Sequence, residues 1–455
     1  MQSYWKDRGF CCSWQGCCVP FHPSATPATI PLEESRVPTI DPIYIGDDAF
    51  QRLAAYCADS FPDLPITLVA DTRTFAAAGD NSARALAAAG RAVRSVILRG
   101  DNLHADEYGI ARVLTASPYG EALFVAVGSG TITDITRYVS FRLGMPFVSV
   151  PTAASVDGYT SAGAPLVIEG IKRTHYSQPP LAIFADPAVV KRAPAELTAA
   201  GVGDMLGKIT AAADWRLGAL LWGEAYDEAI ALRSRAAAQT CIDSIDEIAQ
   251  HSDVGLGRLM QALVESGLCM LDFGESRPAS GAEHHISHLW EMGGLQDGGP
   301  QPLHGAQVGV ATILVARLYA RLRELTRGDV RRLLEEAAAE GRAGDVAEIE
   351  AAYGSMAPTI IAEHAGFLEM PAEREAALRS TLIERWEDVQ AILSSVPEAE
   401  LIERLLRRVG GPTTTADLGL SQARARSGFL YGHYLRERFT AAKLARLLGV
   451  LRYPL

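Results

Sequence analysis

At 455 residues the chain is long enough for two or three domains with sizeable cores, and 48% hydrophobic against 21% charged residues is the balance of a soluble globular protein. Its formal net charge of −12 argues against a nucleic-acid surface and leaves any anionic ligand to be held by local basic groups. No apolar run approaches the ~18 residues of a membrane span, and the first twenty residues lack the basic-then-apolar order of a signal peptide, so a cytoplasmic enzyme without membrane contact is expected.

Residues 1–40 carry Pro20, Pro23, Pro27, Pro31 and Pro38 without periodicity, the composition of a disordered extension. Four of the seven cysteines crowd there as Cys11, Cys12, Cys17 and Cys18, in vicinal pairs that lack the two-residue spacing of zinc knuckles. Cys57, Cys241 and Cys269 sit in helical contexts and read as buried small hydrophobes. From Ile66 onward, apolar runs at 66–71, 93–98, 123–127 and 147–150 read as buried strands, with helical stretches such as 82–89 and 132–143 between them. That alternation implies a parallel sheet with crossovers, an α/β nucleotide-binding domain over 41–194. Within it, 165–176 reads as a hairpin and 181–186 as one further strand. After Pro194 the strands stop. Residues 195–455 are helical by period, with a buried helix around 308–318 and breaks at 293–302 and 410–412. The expected fold is thus an α/β N-terminal domain followed by an all-α C-terminal domain, with the active site in the cleft between them.

The first chemical motif is the turn Val127-Gly-Ser-Gly-Thr-Ile-Thr-Asp134. Gly128, Ser129 and Gly130 follow a strand and precede a helix. Missing side chains let backbone amides approach a pyrophosphate, and the helix start adds a positive dipole. Thr131 belongs to the same turn, and Asp134 can cap or line the helix. Asp71 ends the strand from Ile66; a carboxylate there accepts from a ribose hydroxyl or, alternatively, caps the next helix together with Thr72 and Thr74. Thr152, Ser155, Asp157 and Ser161 occupy a polar loop after the 147–150 strand, at the edge where α/β folds bind ligands, or they shape a turn around Gly158.

Three later stretches offer metal donors: Gly201-Val-Gly-Asp-Met-Leu-Gly-Lys208, Gly281-Ala-Glu-His-His-Ile-Ser-His288 and Leu303-His-Gly-Ala-Gln-Val-Gly309. Asp204, His284 and His304 make an oxygen-plus-two-nitrogen set that suits a divalent metal with an open coordination position. Asp204 reads alternatively as an N-cap at a helix start. His284 and His288, four apart, share a helix face and could both hold one ion. His285 is turned away from them by about 100° and reads as structural or exposed.

Together with Ser149-Val-Pro-Thr-Ala-Ala-Ser-Val-Asp-Gly-Tyr-Thr-Ser161, Arg277-Pro-Ala-Ser-Gly-Ala-Glu-His284 and Gly411-Pro-Thr-Thr-Thr415, these motifs make the chain resemble the glycerol-1-phosphate dehydrogenases. The resemblance runs from about Leu64 to the C-terminus. Its superfamily also holds glycerol dehydrogenase, the iron-type alcohol dehydrogenases and dehydroquinate synthase. The run from Arg277 to His288 is the most specific part, because it separates the phosphoglycerol branch from its relatives. The resemblance implies an NAD(P)-dependent enzyme that interconverts dihydroxyacetone phosphate and sn-glycerol 1-phosphate, with one divalent ion, zinc or nickel, per subunit. It implies the cofactor on the Gly128 turn, with Asp71 near the adenosine ribose and Thr152, Ser155 and Ser161 on the nicotinamide half. It assigns the metal to Asp204, His284 and His304, substrate hydroxyls to Asp157 and the substrate side to His288. Lys208 and Arg277, the basic residues nearest the motifs, are the candidates for the substrate phosphate, with Arg173 and His175 weaker ones. A phosphorylated triose or polyol is the expected small-molecule partner, and a homo-oligomer the expected assembly. Position 306 is alanine where dehydroquinate synthases carry glutamate, which weighs against cyclase chemistry. A dehydrogenase of an unphosphorylated polyol such as glycerol is the nearer alternative.

Overall fold

β-branched and aromatic runs punctuated by glycine become strands here. The computed structural model describes residues 39–100, 103–297, 301–340 and 344–453, so the expectations placed on the Cys-rich extension lie outside the described residues. The strands are β1 (Ile43–Ile45), β2 (Ile66–Asp71), β3 (Val93–Leu98), β4 (Leu123–Gly128), β5 (Phe147–Pro151), β6 (Gly163–Ile168), β7 (Ile171–Tyr176) and β8 (Ile183–Ala185). Six of them form one sheet in the order β1-β8-β5-β4-β2-β3, every pair parallel. Such a sheet is covered by helices on both faces, which is why its central strands are buried along nearly their whole length and mostly apolar. Alternate residues feed two cores: Leu68, Val125 and Val148 one, Val69, Phe124 and Phe147 the other. Sequence reading missed β1 and the helix Ala49–Ser60, so the alternation begins at residue 43 and not at 66. A three-residue edge strand is too short to show a period. The hairpin β6–β7 is antiparallel, and its two linking residues, Glu169 and Gly170, have φ of 53° and 74°, as a tight two-residue turn requires.

Past Ala185 every regular element among the described residues is helical. Five long helices, Ala195–Trp222, Glu228–Asp243, Asp253–Phe273, Ala282–Asp297 and His304–Arg323, contribute to the largest core. Asp204 lies inside the first of these and not at its start, so the N-cap alternative does not hold. The Ala195–Trp222 and His304–Arg323 helices touch backbone to backbone. A Cβ on Gly203 would fall 2.2 Å from the Gly305 carbonyl oxygen, and one on Gly305 would fall 2.0 Å from that of Ala200. Only glycine allows that approach, and it sets Asp204 beside His304. The Ala282–Asp297 helix continues through Gly293 and Gly294 before it stops, later than the expected break at 293. Arg424 lies against Gly293 and donates through Nη2 to its carbonyl at 3.1 Å, a tertiary contact that overrides glycine's weak helix preference. One helix among the described residues, Asp253–Phe273, has the length and hydropathy of a bilayer span, but 61% of that window is buried inside the fold.

Candidate active site

The C-terminal ends of β2, β4 and β5 open on a cleft of about 970 Å³, large enough for a cofactor and a small substrate. β2 and β4 are neighbours whose crossovers diverge, β3 lying to one side and β5 to the other, and such a switch point is where α/β sheets bind ligands. Asp71 caps the short helix after β2: its Oδ1 accepts from the backbone amides of Arg73 and Thr74 at 2.7 and 2.8 Å. Gly128 closes β4, and Gly130 begins the helix Gly130–Arg142. The Ser129 hydroxyl lies 2.5 Å from that of Ser155 and accepts from the Tyr159 hydroxyl at 3.2 Å, which ties the Gly128 turn to the loop after β5. Arg137, fully buried, donates to Asp134 at 2.7 Å and to the carbonyls of Gly158, Tyr159 and Gly163, so one cation shapes that loop from beneath. Burial pushes the Asp134 carboxyl up to about 7 although Arg137 pulls it down.

The helical half supplies the opposite wall. Oxygen and nitrogen atoms of Asp204, His284 and His304 lie within 4.8 Å of one another. His284 Nε2 is 3.4 Å from Asp204 Oδ1, close to the ~3.3 Å expected for two ligands of one tetrahedral zinc ion at ordinary bond lengths. Each histidine is oriented through its other nitrogen. His284 Nδ1 meets Glu283 Oε1 at 2.8 Å, and His304 Nδ1 meets Glu291 Oε1 at 2.8 Å. A carboxylate on Nδ1 fixes the proton there and leaves the Nε2 lone pair to a metal. Glu291 Oε2 also takes His288 Nδ1 at 3.0 Å and Lys172 Nζ, from β7, at 2.7 Å. His288, Glu291 and His304 form a second group of possible ligands, but there Glu291 joins the Nδ1 atoms of both histidines and so orients the rings. Asp204, His284 and His304 are the donor set whose histidines are each oriented by a carboxylate outside the set. Asp204 is fully buried, and Lys208 reaches both its Oδ1 and Asp157 Oδ2 at 2.8 Å. Burial alone would raise the Asp204 pKa; Lys208 and the two histidines overcome it and hold the group ionised.

A family model described as iron-containing alcohol dehydrogenase matches residues 44–194. Over 404 residues the chain is 38% identical to a Halalkalibacterium halodurans protein named glycerol-1-phosphate dehydrogenase (NAD(P)+), covering 88% of this chain and 91% of that one. A Bacillus licheniformis protein of the same name is 34% identical over 415 residues, covering 91% and 90%. The chain belongs to the glycerol-1-phosphate dehydrogenase family. A solved structure of 1,3-propanediol oxidoreductase shares the fold, with a TM-score of 0.58 at 17% identity over 91% of this chain and 97% of that one.

For this family member the structure gathers most residues singled out in the sequence at one cleft. Asp71, Ser129, Gly130, Thr131, Asp134, Thr152, Ser155, Asp157, Ser161, His284, His288 and His304 all line it. Gly128 and Asp204 lie just behind the lining. The two expected phosphate anchors do not line it. Lys208 is enclosed by Asp157, Asp204 and the carbonyl of Ala279, and Arg277 is paired with Glu224 and Glu275. Arg173 and His175 are on β7, but alternation along that strand gives the cleft Lys172 and Thr174 instead. His285 is fully buried, not exposed. Glu283, Glu291 and Lys172 went unnoticed in the sequence. The signal for the glutamates was there: one adjoins His284, and the other follows His288 by three positions on the same helix.

Proposed function

We propose that this chain is a metal-dependent NAD(P)-linked dehydrogenase that interconverts dihydroxyacetone phosphate and sn-glycerol 1-phosphate, with the cofactor on residues 41–194 and the metal on 195–455. The observation that carries the reading is the Asp204, His284 and His304 cluster, with both Nδ1 atoms tied to carboxylates, across one cleft from the Gly128 turn. Asp204, His284 and His304 would hold the ion, and two imidazoles with one carboxylate suit zinc or nickel. When bound, the ion supplies Lewis-acid polarisation of the C2 oxygen, and the nicotinamide supplies or accepts the hydride.

The chain's own residues do the rest. Burial pushes His288 down to about 3, against the pull of Glu291, so the ring is neutral at physiological pH. Its Nδ1–H donates a hydrogen bond to Glu291, so the Nε2 lone pair would take the hydroxyl proton of glycerol 1-phosphate and return it in the reverse direction. Asp157, held by Lys208 and by the Ser266 hydroxyl at 2.9 Å, is placed to orient substrate hydroxyls. Thr152, Ser155 and Ser161, all in the cleft lining, would border the nicotinamide half, and Asp71, also in the lining, the adenosine ribose.

NADH oxidation measured with dihydroxyacetone phosphate and with dihydroxyacetone tests the reading. A site that recognises the phosphate should favour the phosphorylated ketone by roughly 10²-fold or more in kcat/KM. Equal efficiencies would instead identify a dehydrogenase of an unphosphorylated polyol. Turnover of neither ketone, in protein shown to carry metal, would reject both.

A further inference from the structure

Arg436 and Arg438 stand two residues apart on the bend between Gly432–Tyr434 and Ala441–Leu447, and both border the cleft that His284 and His288 border. Arg438 is only 9% exposed. Its Nη1 donates to the Ser280 carbonyl at 2.8 Å and its Nη2 to the Ser276 hydroxyl at 2.9 Å. Ser280 precedes by two residues the helix that carries His284 and His288, so the carbonyl this guanidinium holds lies four residues before His284. Arg436 reaches the Thr174 hydroxyl at 3.5 Å.

Buried cations are ordinarily matched by a carboxylate. Among the described residues neither of these guanidiniums forms an ion pair, and the nearby acids are engaged elsewhere. Glu275 is held by Arg277 at 2.8 Å, while Glu224 takes Arg277 and the backbone amide of Phe439. Glu363 acts on Arg436 only at longer range. Burial, reinforced by Arg436 and Arg277 and only partly offset by Glu224 and Glu275, pushes Arg438 down to about 9, which leaves it cationic at neutral pH without a carboxylate in ion-pair contact.

We propose that Arg438, assisted by Arg436, is the binding site for the phosphate of the substrate, an inference that rests on the function proposed above. A guanidinium with donors to spare in a dry wall is suited to a phosphomonoester. The substrate's phosphate is favoured over those of the cofactor because the arginines adjoin the histidine helix, whereas the Gly128 turn belongs to the sheet.

The test uses full-length, metal-loaded protein with Arg438→Gln, Arg438→Lys and Arg436→Gln, and the thermal midpoint reports folding. Inorganic phosphate, titrated calorimetrically, should bind the unmodified chain and compete with dihydroxyacetone phosphate. Arg438→Gln should raise KM for dihydroxyacetone phosphate by roughly 10²- to 10³-fold, with a smaller change in kcat, and weaken inorganic phosphate about 10-fold or more. The lysine variant should recover part of that loss. KM for NADH should stay within about twofold. Arg436→Gln, at the less buried position, should show a smaller effect of the same kind, which keeps the test open if Arg438→Gln does not fold. Unchanged phosphate affinity and KM in the folded variants would overturn the proposal, as would a rise in the KM for NADH alone, which would give the site to the cofactor's phosphates. If the unmodified enzyme fails to distinguish the two ketones, the substrate reading falls, and the arginine site stands or falls on the calorimetric titration.

Discussion

Glu291 receives three donors, one from the hairpin and two from histidines on different helices, and so fixes the directions of His288 and His304 together. Glu291→Gln keeps the volume but gives up the charge that three donors share. Its affinity for zinc or nickel should fall about 10–100-fold, measured as metal retained after dialysis against a competing chelator. His364 is fully buried, and burial followed by Lys443 lowers its pKa to about 3. The unfolded chain binds a proton at this residue near pH 6.5 and the native chain does not, so stability is lost as pH falls from 6.5 toward 3. Between pH 7 and 5 this one group accounts for about 2 kcal/mol. The urea midpoint of His364→Gln should therefore depend less on pH over that interval than that of the unmodified protein; identical slopes would place the ring in contact with water. At this scale the sequence was readable where residue type announces chemistry, as with Asp204, His284 and His304. It was unreadable where the partner is remote: nothing local ties Arg438 to a helix that begins at residue 282.

Helices bring the metal donors together through the glycine contact between Ala195–Trp222 and His304–Arg323. In Gly203→Ala the new methyl meets a backbone oxygen, which cannot swing aside as a flexible side chain would. We expect about 1–3 kcal/mol of destabilisation together with loss of bound metal, read by urea denaturation and by elemental analysis. Gly257→Ala, where a Cβ meets nothing within 4 Å, is the control and should be neutral or slightly stabilising. A Gly203 variant with full metal content would show that the crossing does not govern the site. The regular elements were legible where an apolar run stood out between polar flanks, which is why β2 to β5, the hairpin and β8 were anticipated and the isolated three-residue β1 was not. The Gly293-Gly294 pair reads locally as a helix end, yet Arg424, more than a hundred positions away, holds the helix through it.

For the molecule as a whole, the cleft divides the work between two walls. On the proposed function, the cofactor would be held at the sheet edge and the metal by Asp204, His284 and His304 from the helices. Chelation should abolish turnover while NADH still binds with nearly unchanged affinity, measured by fluorescence titration, and zinc or nickel should restore the rate. Full activity in verified metal-free protein would remove the Lewis-acid step from the proposed mechanism. The order of strands then helices was plain in composition and period, because a parallel sheet and a helical bundle demand different apolar patterns. The docking of one half on the other was not, since such contacts leave no local signature.

The meeting of Gly203 with Gly305 also bears on when the ion can arrive. Asp204 and His304 are a hundred positions apart in the chain and become neighbours only after two long helices have seated against each other. A nascent or partly folded chain therefore presents scattered donors with no common focus. On the function proposed above, metal capture would follow helix docking, and protein made without the ion would be folded but inactive until the ion is supplied.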